Sequence, residues 1–303
     1  MHHHRISSSS PGLVPGLFIA CAALAIFVTD VQGQLPAQAP ASQINQLSTR
    51  MRVEVGDQVG IGGFIVTGTV PKSVIIRGIG PALIQSGITD ALADPVLELH
   101  GPGGFPTVTN DNWRDTQESQ IQAAGLAPTQ NLEPAIWATL PPGAYTAILR
   151  GRNNVTGTAL VEIYDLNPAA DSKLANLSTR AFIGVNQNIA IAGLMVNNGS
   201  TSDRVVVRGR GPSLASAGVS NVLTNPALEL RNHNGSLIFS NNDWQDNIVQ
   251  AQQITAAGLA PSNTLEPALV AILPPGLYTA LLFGESNVTG NGLVEVYDLG
   301  ATP

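Results

Sequence analysis

Short apolar runs alternate with polar breaks along most of the chain. In Leu160-Val161-Glu162-Ile163-Tyr164, Val161 and Ile163 share one face while Glu162 and Tyr164 share the other. That period of two is the signature of a half-buried strand. Phe64-Ile65-Val66, Ser73-Val74-Ile75-Ile76, Val96-Leu97-Glu98-Leu99 and Tyr145-Thr146-Ala147-Ile148-Leu149 are equally short, rich in β-formers and bounded by Gly, Pro or Asn. A weaker strand covers residues 51–55. Two helical turns interrupt the strands. Pro81–Ser86 opens on proline and closes at Gly87, and residues 116–124 close at Gly125.

The whole pattern occurs twice. Leu47-Ser48-Thr49-Arg50 returns as Leu177-Ser178-Thr179-Arg180, and Arg77-Gly78-Ile79-Gly80-Pro81 as Arg208-Gly209-Arg210-Gly211-Pro212. Ala124-Gly125-Leu126-Ala127-Pro128 returns from Ala257, Leu132-Glu133-Pro134-Ala135 from Leu265, Pro141-Pro142-Gly143-Ala144-Tyr145-Thr146-Ala147 from Pro274, and Tyr164-Asp165-Leu166 from Tyr297. The interval grows from 130 residues at Arg50/Arg180 to 131 at Trp113/Trp244 and 133 at Tyr164/Tyr297. The extra residues fall where loops are expected, near residues 197–203 and just after Asp246. So long a period indicates a duplicated domain and not a solenoid.

The expected organisation is a signal peptide over residues 1–33, a flexible arm over 34–45, a first unit over 46–168, a linker over 169–173 and a second unit over 174–303. The leader has a basic start, an apolar run over 13–28 and small residues up to Gly33. A membrane anchor is the alternative, but an apolar run of about 16 residues is short for a span. With roughly six to eight strands in each ~125-residue unit, the expected class is all-β: two tandem antiparallel β-sandwich domains, jelly-roll-like, with short helical turns.

Composition narrows the partners. Only 12% of residues are charged, about half the usual share. Net charge is −7, and Lys72 and Lys173 are the only lysines. Nucleic-acid binding needs a basic stripe, and none is present; an anionic membrane surface is excluded on the same ground. The only cysteine, Cys21, lies in the leader, so the mature chain is expected to lack disulfides.

From its Leu-Ser-Thr-Arg to its Tyr-Asp-Leu motif, each unit resembles a repeat of secreted bacterial proteins. The acidic loop, Pro-Pro-Gly-X-Tyr-Thr-Ala and closing strand also resemble, over the second half of each unit, bacterial pre-peptidase C-terminal domains. The resemblance implies a secreted β-sandwich module that often binds calcium and accompanies enzymes without catalysing a reaction.

The candidate chemistry lies in one loop per unit. Asn110, Asp111, Asn112 and Asp115 surround Trp113, while Asn241, Asn242, Asp243 and Asp246 surround Trp244. Acid and amide exchange places between the copies, which preserves oxygen at each position. Calcium takes six to eight oxygens, and Glu133 and Glu266 are the nearest recurring carboxylates to complete such a shell. The other reading is an Asx-rich turn that caps the following helix, with Asp115 as N-cap. Trp113 and Trp244 are either core anchors or platforms for sugar rings. Arg77 and Arg208 are expected to pair with carboxylates, Glu98 and Glu229 being the nearest choices. Arg77-Gly78-Ile79-Gly80-Pro81 lacks the third glycine and the βαβ setting of a dinucleotide loop. His100 and His233 occupy unrelated loop positions, so no nucleophile–base pair stands out.

The expected function is that of an exported, non-catalytic structural or interaction protein, stabilised by calcium. It is expected to self-assemble as a homo-oligomer or homopolymer into an extracellular layer, filament or tube, with no enzyme domain attached. The alternative is a pair of carbohydrate-binding modules whose partners are glycans.

Overall fold

The computed structural model describes residues 43–197 and 201–301. The leader expected over residues 1–33 lies outside them. Among the described residues the first unit contains β1 (Ile44–Val53), β2 (Gly60–Gly68), β3 (Lys72–Ile79), β4 (Pro95–His100), β5 (Val108–Asn110), β6 (Ala135–Leu140), β7 (Gly143–Gly151) and β8 (Gly157–Asp165). The second contains β9 (Ser172–Ile183), β10 (Ala190–Val196), β11 (Asp203–Arg210), β12 (Pro226–Asn232), β13 (Leu237–Asn241), β14 (Ala268–Leu273), β15 (Gly276–Gly284) and β16 (Gly290–Ala301). One short helix follows each acidic loop, α1 (Glu118–Ala123) and α2 (Ile248–Ala256). The chain is all-β, and its strands pair antiparallel.

Within the first unit the pairing orders are β1-β8-β3-β6 and β2-β7-β4-β5. The second repeats them as β9-β16-β11-β14 and β10-β15-β12-β13. This is the order of an eight-stranded jelly roll. The two runs of a unit face each other across apolar side chains. A Cβ placed on Gly78 of β3 would stand 2.5 Å from Leu149 Cδ1 of β7, and one on Gly209 equally close to Leu282 Cδ1.

The joint between the units is made of backbone hydrogen bonds. β1 pairs with β10 on its other side, and β9 pairs with β2. Each four-strand run therefore continues into a run of the other unit, and a single apolar cluster includes residues of both. The Leu-Ser-Thr-Arg motif serves this joint. Thr179 Oγ1 donates to Thr49 Oγ1 at 2.8 Å, with both threonines buried. Ser48 lies over Gly193 and Ser178 over Gly63, where a Cβ would come within 2.5 Å of the serine oxygen. Arg50 and Arg180 donate to backbone carbonyls of the opposite unit, Gln187 and Asp57, each at 3.4 Å.

The strands begin earlier than expected at both places. Ile44 and Asn45, assigned to the flexible arm, open β1, and Ser172 and Lys173, assigned to the linker, open β9. Ile44 pairs with Val196, and Ser172 and Lys173 with Gly68 and Thr67, across the joint, which composition does not reveal. The turn at Pro81–Ser86 is a 3-10 helix closed by left-handed Gly87, as its sequence implies.

Candidate functional site

The acidic loops leave the sheet edge after β5 and β13 and cross the outer face of the sheet. The underlying strands explain why. Val74-Ile75-Ile76 is a continuous apolar run because it is buried on both faces: Val74 and Ile76 face the main core, while Ile75 packs with Trp113, Ile121 and Ala135. In the second unit Val206 packs with Trp244, Ile254 and Ala268. Each loop, its tryptophan and its helix thus form a lid over an apolar outer face.

Within the lid the first asparagine is engaged chiefly by the backbone. Asn110 Oδ1 accepts from Ala135 N at 2.9 Å, and its Nδ2 donates to Asn112 O at 3.0 Å. Asn241 repeats this with Ala268 N and Asp243 O, both at 2.9 Å. The glutamates point elsewhere. Glu133 Oε1 accepts from Gly80 N (3.1 Å) and Ala82 N (2.8 Å), the start of the 3-10 turn. Glu266 Oε1 accepts from Gly211 N and Ser213 N, both at 2.9 Å, and from Ser213 Oγ at 2.6 Å. Burial raises the Glu133 carboxyl above its ordinary value, opposed by the Ala82, Gly80 and Gln130 N–H groups.

The remaining oxygens form two unequal sets. In the first unit Asp111 Oδ2 is ion-paired with Arg152, and Asn112 Nδ2 donates to Asp115 Oδ2 at 3.1 Å. In the second, Glu285 stands at the position equivalent to Arg152, and Asn242 at that of Asp111. Burial first, and then the charge of Asp246, raise the Asp243 carboxyl. Asp111 Oδ1, Asn112 Oδ1 and Asp243 Oδ1 are buried without a hydrogen-bond partner among the described residues.

Several expected roles change. Of the ten calcium ligands expected, Asn110, Asn241, Glu133 and Glu266 have their side chains engaged by backbone groups. Among the described residues no three His, Cys, Asp or Glu side chains converge to hold a metal ion. Asp115 does not cap α1, whose N-cap position is Gln117 without a side-chain cap; in the second unit the inserted Asn247 caps α2 by accepting from Val249 N and Gln250 N. Trp113 is 2% exposed and Trp244 9%. Neither indole offers a face to a sugar, because each fills the space beneath its lid, so the platform reading gives way to the core one. Arg114 further covers Trp113, its guanidinium carbon 4.2 Å from the ring centroid.

Arg77 and Arg208 pair with Glu162 and Glu295, not with Glu98 and Glu229. Arg77 Nε lies 2.8 Å from Glu162 Oε2, its Nη2 donates to Tyr164 Oη at 2.8 Å, and its Nη1 donates to Leu126 O at 2.9 Å. Arg208 repeats this with Glu295, Tyr297 and Leu259 at 2.9, 2.9 and 2.7 Å. The Glu295 charge and above all burial push the Tyr297 hydroxyl up to about 12. β4 and β12 lie in the opposite runs, so Glu98 and Glu229 instead meet Arg150 and Arg231. Sequence reasoning missed Glu162 and Glu295 as partners, and also Gln117 and Gln250, whose amides bond both backbone groups of Trp137 and Val270. The available signal was recurrence, since all four stand at equivalent positions.

No protein-family model matches the chain, and no curated protein matches it.

Proposed function

We propose that the chain is an exported, non-catalytic structural or interaction protein that associates with copies of itself. The observation that carries this reading is the fate of the recurring motifs. Leu-Ser-Thr-Arg joins the units, and the arginine of Arg-Gly-X-Gly-Pro ties its strand to the Tyr-Asp-Leu tyrosine and to the loop after the helix. The glutamate of Leu-Glu-Pro-Ala holds the 3-10 turn, the loop asparagine holds the strand beneath, and Tyr145 donates to Pro141 O at 2.8 Å. What two diverged copies retain is a network internal to the fold.

Self-association is supported by the outer end of the second unit. Leu237 and Phe239 on β13 and Ile272 on β14 are 50%, 40% and 60% exposed. The first unit has Pro106, Val108 and Thr139 at those places. One end of the molecule is thus more apolar than its counterpart, which suits a head-to-tail contact, and such contacts build open polymers. Calcium remains part of the proposal at the second loop, where the Asp246 charge acts on Asp243 and Glu285 stands where the first unit has Arg152. Light scattering and micrographs of the purified chain, with calcium and with chelator, test the reading. Assembly in the wild type and its loss in Phe239→Ser with Ile272→Thr are expected. A monomer under every condition would overturn the reading.

A further inference from the structure

The two Tyr-Asp-Leu aspartates occupy matching corners of the molecule and have different partners. At the first, Asp165 faces Lys72, the first residue of β3, at 2.8 Å, with both side chains buried. At the second, β11 begins with Asp203 in place of that lysine, and Asp298 pairs with Val205 two residues along, as Asp165 pairs with Val74 in the first unit. A carboxyl group replaces an ammonium beside a buried carboxylate. Lys173, near the start of β9, reaches in from the other side, with Nζ 2.9 Å from Asp298 Oδ1 and 3.4 Å from Asp298 O. Both lysines of the chain therefore serve the same aspartate position, from different strands.

The second corner holds two acids and one base. Asp298 Oδ1 also accepts from Gly300 N at 2.7 Å, and its Oδ2 from Ile44 N at 3.5 Å. Asp203 is fully buried, and among the described residues neither oxygen has a hydrogen-bond donor of normal geometry. The adjacent Arg204 N–H favours the charged form less than Lys173 does. On the far side β14 presents apolar Leu273, and β16 pairs Ala301 with Asp203. An unpaired buried carboxylate is expensive, and such a group takes up a proton instead. Lys173 already supplies the positive charge at Asp298, which favours a proton over a metal ion between the acids.

We propose that Asp203 and Asp298 hold a single proton between them as an O–H···O bond, and that this bond is an acid-stabilised clasp where β1 and β9 begin and β16 ends. Protonated Asp203 donates to Asp298, which in turn anchors Lys173 and the first amide of β1. When the proton leaves, two carboxylates with one lysine repel each other and the corner loosens. Burial first, then the Asp298 charge, raise the Asp203 carboxyl from its ordinary 3.8 to about 7, with Lys173 opposing. The folded state then binds this proton more tightly than the unfolded chain. Its contribution to stability is complete below 3.8 and is lost as pH rises through about 7.

The decisive experiment is a carboxyl-carbon NMR titration of the full chain together with melting temperatures across that window for the wild type and Asp203→Asn. Asp203 is expected to titrate near neutral pH. The wild type is expected to lose several degrees as pH rises through the window, and Asp203→Asn to lose markedly less. Amide exchange at Ile44 and Lys173 should quicken relative to the Lys72–Asp165 corner, an internal control without the extra acid. Titration of Asp203 at the ordinary carboxylate value would overturn the proposal even if Asp203→Asn failed to fold. So would identical pH profiles for the two proteins.

Discussion

Lys72 is sealed inside the fold, with its ammonium 2.8 Å from Asp165 Oδ2 and 2.7 Å from Asn167 O. Desolvation makes such a pair of little net benefit, yet removing one partner strands the other charge. Burial already raises the Asp165 carboxyl, and the lysine is what opposes that shift. Lys72→Ala is therefore expected to cost about 3–5 kcal/mol in denaturant unfolding, whereas Lys72→Met combined with Asp165→Leu costs far less. Equal losses in the two would contradict this account. Gly80 and Gly211 show a different residue-scale demand. A Cβ on either would stand 2.2 or 2.0 Å from a backbone carbonyl, Leu92 O or Leu223 O. The second glycine of Arg-Gly-X-Gly-Pro is fixed by this approach, not by phosphate binding.

At the scale of elements, β6 and β14 are the outermost strands of their runs, and each would present a free hydrogen-bonding edge. Side-chain amides cover part of it. Gln117 accepts from Trp137 N at 2.9 Å and donates to Trp137 O at 2.7 Å, imitating a neighbouring strand. Gln250 does the same to Val270, at 2.6 and 3.1 Å, and Asn110 and Asn241 bond the N–H two residues earlier. Exposed edges template aggregation. Gln117→Ala with Gln250→Ala is expected to aggregate faster on warming, as read by light scattering; unchanged aggregation would refute the edge-covering role. Helices α1 and α2 were legible as Gly-closed turns, but their caps were not. The Asn247 cap comes from an insertion, so comparison of the copies offers no counterpart for it.

For the whole molecule, the joint through β1–β10 and β9–β2 and the shared apolar cluster couple the units. Unfolding one would expose edge strands and core side chains of the other. Calorimetry is expected to show a single transition, with calorimetric and van't Hoff enthalpies agreeing. Two separable transitions would mean that the joint contributes little. The same joint explains why Leu-Ser-Thr-Arg recurs without any surface role: Ser48 and Thr49 meet Gly193 and Thr179 of the other copy.

The sequence by itself determined the all-β class, the duplication, five strands of the unit and the helical turn at Pro81–Ser86, while β1 begins earlier than expected and β5 and β6 were not among the expected strands. Period-two alternation, Gly and Pro breaks and internal recurrence are local signals, and burial on one face of a strand enforces them. It also located the acidic loops and limited Trp113 and Trp244 to two roles. Only the tertiary structure decided which role applies and which strands pair. β1 has the same alternation whether its neighbour is β8 or β10, because the pattern records which face is buried and not which edge is bonded. Partner choice for Arg77, Glu133 and Asp203 likewise depends on which strands the fold brings side by side. No spacing along the chain encodes that.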